Sequence, residues 1–167
     1  MILKIDDWEF DIDLERTMAY SAAEAAEHCD CAYCRNFYAA VDDAVPALRP
    51  FMAQFGLDLE APDVLYPYDV ETWMWYTGEY VVFGKILQFG NGRIHIDHAS
   101  HPYIFPMNIA KYEFDSPYFV LCLEELEIPW VLNEPISEVV SPANEPSFLK
   151  KMWDNLLGKA KKSDPKS

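Results

Sequence analysis

Helical and strand signals occupy different halves of this chain. Helical patterning runs through residues 17–55, while strand-forming runs rich in Trp, Tyr, Val, Phe and Ile fill 72–132. A chain that alternated the two would build a parallel sheet with crossover helices. Segregation predicts an α+β fold instead, with N-terminal helices packed on a mainly antiparallel, meander-like sheet.

In the helical half, Thr17 to His28 is rich in Ala, and Ser21 with Glu24 three residues on has the spacing of a capping box. From Arg35 to Phe55, Phe37, Val41, Ala44, Leu48, Met52 and Phe55 recur every three or four residues and predict one buried face. Pro46 and Pro50 interrupt that stripe, so a kink or two short helices are expected, and Gly56 is the natural stop.

The strand signals begin with residues 2–5 and 8–14, where Trp8, Phe10, Ile12 and Leu14 alternate with Glu9, Asp11 and Asp13 as in a hairpin. After a loop containing Pro62 and Pro67, runs 72–76 and 79–88 read as two strands separated by Thr77 and Gly78. Asn91 and Gly92, set between apolar runs, carry a strong hairpin signal leading into residues 93–97. Further strands are expected at 103–105, 111–114, 118–123 and 128–132, with Pro129 placing the last at an edge. Phe148, Leu149, Met152, Trp153, Leu156 and Leu157 form the apolar face of a short terminal helix. One α+β domain over 1–158 and a flexible Lys-rich tail over 159–167 are therefore expected.

A hydrophobic fraction of 51% and an aromatic fraction of 15% exclude a disordered chain. The net charge is −15, and it is unevenly placed: residues 1–149 carry −19 and residues 150–167 carry +4. An acidic body repels phosphate backbones, which argues against nucleic acid and leaves a basic protein as the electrostatically suited partner. No apolar run approaches the ~20 residues of a membrane-spanning helix. The start of the chain turns acidic after five residues and does not read as an export signal. Together these predict a cytoplasmic protein with reduced thiols.

One segment is chemically loaded. His28, Cys29, Asp30, Cys31, Ala32, Tyr33 and Cys34 place three thiols and an imidazole in seven positions. Zn²⁺ takes four tetrahedral ligands, and a C-x-C-x-x-C turn can present three sulfurs to one ion. Adjacent His28 and Cys29 rarely reach one centre together, so the fourth ligand is sought among His98, His101 and Cys122. The proposed set is Cys29, Cys31 and Cys34 with His98 or His101. The remaining histidine, His95, shares a face with Asp97 if 93–97 is a strand, and the carboxylate could orient its imidazole for proton transfer or ligation.

Two other readings of the thiols stand beside the metal: a redox pair formed by Cys31 and Cys34, and chemically idle cysteines packed as small hydrophobes. No nucleophile elbow, phosphate-binding loop, dinucleotide fingerprint or H-E-x-x-H occurs.

The run from Cys29 through Cys31, Cys34, Arg35, Asn36 and Phe37, followed by a helix ending at Phe55, Gly56, Leu57 and Asp58, resembles an uncharacterised bacterial family with a C-x-C-x-x-C-R-N-F motif. That resemblance implies a bacterial cytosolic origin and carries no activity. The expectation from sequence is a non-enzymatic cytosolic binding or regulatory domain stapled by zinc. The alternatives are a thiol redox enzyme using Cys31 and Cys34, and an acidic interaction module for a basic protein.

Overall fold

The computed structural model describes residues 1–70, 73–96 and 102–135, with the backbone alone at 69, 70 and 73. The expected terminal helix and tail, with Asp97, His98 and His101, lie outside these residues.

The fold is α+β. Strands β1 (Ile2–Ile5) and β2 (Trp8–Ile12) form the expected hairpin, closed by a two-residue turn in which Asp6 takes φ +52°. Helix α1 (Leu14–Ala26) follows at once. Its cap is Asp13, whose carboxylate accepts from the Arg16 amide at 3.2 Å. Ser21, expected at a cap, is instead inside the helix and buried, its hydroxyl accepting from the Asp58 amide at 2.8 Å. The next helical stretch splits at Pro46 into two short helices as expected, α2 (Ala32–Ala44) and α3 (Leu48–Ala53), with Pro50 tolerated in the first turn of α3. Phe37, Val41, Leu48, Met52 and Phe55 of the apolar stripe are all fully buried.

The sheet half departs more from expectation. Strand β3 (Val64–Val70) forms where a proline-containing loop was expected. Among the described residues it pairs with one neighbour, and a proline is best tolerated in such an edge strand because its missing N–H breaks no ladder. Next comes β4 (Trp73–Gln88), a single strand of 16 residues running straight through Thr77 and Gly78. Short β5 (Ile94–His95), β6 (Tyr103–Met107) and long β7 (Tyr118–Pro129) complete the sheet. All pairings are antiparallel, in the order β1-β2-β4-β7-β6-β5, with β3 also on β4. The Asn91–Gly92 hairpin does not form, because β5 pairs with β6 and not with β4. Residues 111–114 are a loop; the expected strand 118–123 lies within β7, which runs on to Pro129, so that of the expected strand 128–132 only 128 and 129 are β.

A bulge explains how β7 stays in phase. Between the pairs Gly78↔Leu123 and Tyr76↔Leu126, Glu124 and Glu125 oppose Thr77 alone, and Glu125 adopts φ +55°. The extra residue keeps Phe119, Leu121, Leu123, Leu126 and Ile128 on one face, where all five are buried in the core. Against that face pack Phe37, on the Tyr76 ring at 5.3 Å, and Phe55, edge-on to Phe10 at 5.3 Å. Glu124 is thereby a buried strand residue on the opposite face.

Along the edge of β4 opposite β7, β3 pairs with residues 73–79 and β2 with residues 84–88. The gap between them is closed by side chains. The Val81 amide donates to Asp63 Oδ2 at 2.7 Å and the Phe83 amide to Thr17 Oγ1 at 3.1 Å, while the Asp13 amide reaches the Phe83 carbonyl at 2.9 Å. Gly84 then lets β2 close in: it holds φ +142°, and a Cβ there would stand 2.1 Å from the Asp11 carbonyl oxygen. Gly84→Ala is expected to cost about 3 kcal/mol or more through this clash and the disallowed φ. Urea midpoints of the two proteins measure it.

Candidate metal centre

The Cys segment bridges α1 and α2. The Glu27 amide closes the last turn of α1 on the Glu24 carbonyl at 3.0 Å, and residues 26–31 are then all exposed. Cys31, extended at ψ 159°, is the N-cap of α2, and Cys34 lies three residues on, in the first turn. The helix turns Cys34 inward, where it is buried, and leaves Cys29 and Cys31 outside.

The sulfurs of Cys29, Cys31 and Cys34 lie within 4.8 Å of one another, and these three close-set cysteines could hold a metal ion. Tetrahedral Zn–S bonds of ~2.3 Å require sulfur separations of ~3.8 Å, so a small inward movement of exposed side chains is enough. Backbone dipoles favour anionic sulfur here. The Cys31 amide donates to Cys29 Sγ at 3.4 Å. At Cys31 burial opposes ionisation, but the amides of Cys34 and Tyr33 and the neighbouring thiols outweigh it and hold the group below the usual thiol range. Burial and the two nearby sulfurs push Cys34 the other way.

The surroundings of the cluster are fixed by long-range bonds. Asn36, fully buried, donates to the Tyr76 hydroxyl at 3.3 Å and to the Pro129 carbonyl at 3.1 Å, and its Oδ1 accepts from the Val131 amide at 2.8 Å. The Tyr76 hydroxyl donates in turn to the Tyr33 carbonyl at 2.9 Å, and burial pushes its pKa up to about 12. Arg35 is engaged chiefly by oxygens beside the sulfurs, Glu134 first among them. It donates to the Asp30 carbonyl and pairs with Glu134. Asn36 was not singled out from sequence; its partners lie 40, 93 and 95 residues away, and only its polarity inside an apolar helix stripe hinted at them.

Among the described residues, the three sulfurs are the only donor group of this kind. His28 does not join them: its ring packs on Tyr38 at 4.9 Å, beside Cys34. Cys122, considered as a fourth ligand, is buried within β7 opposite Glu79 and Phe105 and is outside the group. His95 is exposed on β5, its ring 6.5 Å from that of Tyr103. Comparison with protein-family models, curated proteins and solved structures gave no significant match. Geometry alone therefore carries the functional reading. Among the described residues, no helix is long and apolar enough to cross a membrane.

The sheet face opposite the core holds a second polar group. Glu79 is 1% exposed and receives the Lys111 ammonium, while Glu124 is buried and accepts from Thr77 Oγ1 at 3.1 Å. Burial pushes both the Glu124 carboxyl and the Cys122 thiol up. The native state therefore holds the Glu124 proton more tightly than the unfolded chain does. Between the ordinary carboxylate pKa of 4.5 and the raised native value, stability falls as pH rises. Glu124→Gln should then be more stable than the parent at pH 7, with the advantage vanishing towards pH 4 in paired urea titrations. Asn36→Ala, which strands the Val131 amide and the Pro129 carbonyl, is expected to cost about 2–4 kcal/mol by the same assay.

Proposed function

We propose that this chain is a non-enzymatic binding domain in which Zn²⁺ ties the α1–α2 connection to the body of the fold. The observation that supports it is the convergence of the Cys29, Cys31 and Cys34 sulfurs within 4.8 Å at the N-terminus of α2. Three thiolates are a soft donor set suited to Zn²⁺, and His98 or His101 is the proposed fourth ligand. Four protein ligands leave no open position, so the metal is structural. It staples residues 26–31, a stretch that no buried side chain anchors. In this reading the domain is cytoplasmic, and the net charge of −15 suits it to a basic protein partner, bound in a salt-sensitive way.

Elemental mass spectrometry on protein purified without a chelating tag tests the site directly. The expected content is about one zinc per chain, as a single tetrahedral site requires. Cys31→Ser should abolish it and lower the melting temperature by roughly 5–10 °C, the effect of losing a few kcal/mol in a chain of this size. His98→Ala and His101→Ala identify the fourth ligand, since only the ligating one should lose zinc. Metal-free protein with fully reduced thiols and an unchanged melt in Cys31→Ser would refute the proposal.

A further inference from the structure

The three sulfurs are not equivalent, and their differences point to a second property of the same site. Cys31 is exposed at the N-cap, open to a small solute. Cys34 is buried, three residues on in the same helical turn, and lies two residues before Asn36, whose bonds to Tyr76 and Pro129 hold this part of α2. Helix geometry sets residues three apart at about 5 Å between Cα atoms, inside the span a disulfide bridges. Cys29 stands on the exposed connector before α2, where its sulfur accepts from the Cys31 amide at 3.4 Å. All three sulfurs lie within 4.8 Å of one another, and of the three pairs it is Cys31 with Cys34 that the backbone of α2 carries, an outer sulfur for attack and an inner one to resolve it.

We infer that the Cys29, Cys31 and Cys34 site is a peroxide-responsive switch, in which Cys31 and Cys34 close into a disulfide and release the metal. This rests on the zinc reading above. The Cys31 thiolate attacks the outer oxygen of a hydroperoxide, the O–O bond breaks, and the alkoxide takes a proton to leave as an alcohol. Cys31 is now a sulfenic acid. The Cys34 thiolate attacks its sulfur, the S–S bond forms, and hydroxide leaves and is protonated to water. Two thiolates have lost two electrons, and the hydroperoxide has been reduced to alcohol and water with two protons from solvent. Cys29 and one further ligand cannot hold Zn²⁺ alone, so the ion departs and residues 26–31 lose their staple. Helix α2 keeps its place, because Asn36 and Phe37 hold it independently of the sulfurs.

The test treats zinc-loaded full-length protein with hydrogen peroxide. Released zinc is read with a chromogenic chelator, and the thiols are mapped by alkylation before and after reduction. Zinc release should match disulfide formation, Cys31 and Cys34 should be labelled only after reduction, Cys29 should be labelled before it, and dithiothreitol with added zinc should restore the starting state. Cys34→Ser should stop at a Cys31 sulfenic acid trapped by dimedone, and Cys29→Ser should still form the disulfide. Zinc retained with intact thiols under excess peroxide, or a disulfide that contains Cys29, overturns the switch while leaving the zinc reading in place. A chain that binds no zinc at all overturns both.

Discussion

The fold depends on keeping a 16-residue strand hydrogen-bonded along both edges. A buried amide without a partner costs about as much as a lost hydrogen bond, so β4 obliges the rest of the chain to supply partners along its length. β7 takes one edge over residues 73–83, and β3 and β2 share the other. Neither reaches the gap between them, and it is there that Asp63 and Thr17 bond to the backbone of β4. The position of α1 follows, because Thr17 sits in its first turn and Asp13 anchors it to Phe83. Gly84 marks the point where the partner changes, as the backbone must there come too close for any side chain.

The same demand sets the place of the cysteines. α2 lies where it does because its buried face meets Tyr76 from β4 and the end of β7 through Asn36. An amide side chain that uses both its donor and its acceptor groups fixes orientation as well as distance, which apolar packing alone does poorly. The N-terminus of α2, and with it Cys31 and Cys34, is therefore carried on a rigid element, whereas Cys29 rides on exposed chain.

What could be read from the sequence was what is local. The stripe from Phe37 to Phe55 encodes a buried face directly: five of its six residues are fully buried and Ala44 is partly so. The sulfur cluster was legible for the same reason, since six consecutive residues contain it. What failed was long-range. Pro67 is acceptable in a strand only because β3 lies at an edge, and nothing near Pro67 announces that. Thr77 and Gly78 look like a break, yet the irregularity falls on the partner strand at Glu125. Asn91 and Gly92 carry a real turn preference, but β6 competes successfully for β5. Glu124 reads as a surface charge until the bulge sets its phase and buries it. Asn36 has partners dispersed across the chain, and no local pattern could have named them.

This division between local and distant determinants also bears on why a metal would be useful at residues 26–31. The segment has no large apolar side chain to bury and no proline to restrict it, and between the last turn of α1 and the first of α2 it is held by an amide-to-sulfur bond, by Arg35 on the Asp30 carbonyl and by the His28 ring on Tyr38. Hydrophobic burial orders such a stretch poorly, because all six of its residues are exposed. A coordinated ion can, since a few strong bonds offset the conformational entropy of several residues at once. The ordering is also conditional in a way that burial is not. It lasts only while the sulfurs remain thiolates, so chemistry at two atoms can loosen the connector without disturbing α2 or the sheet beneath it.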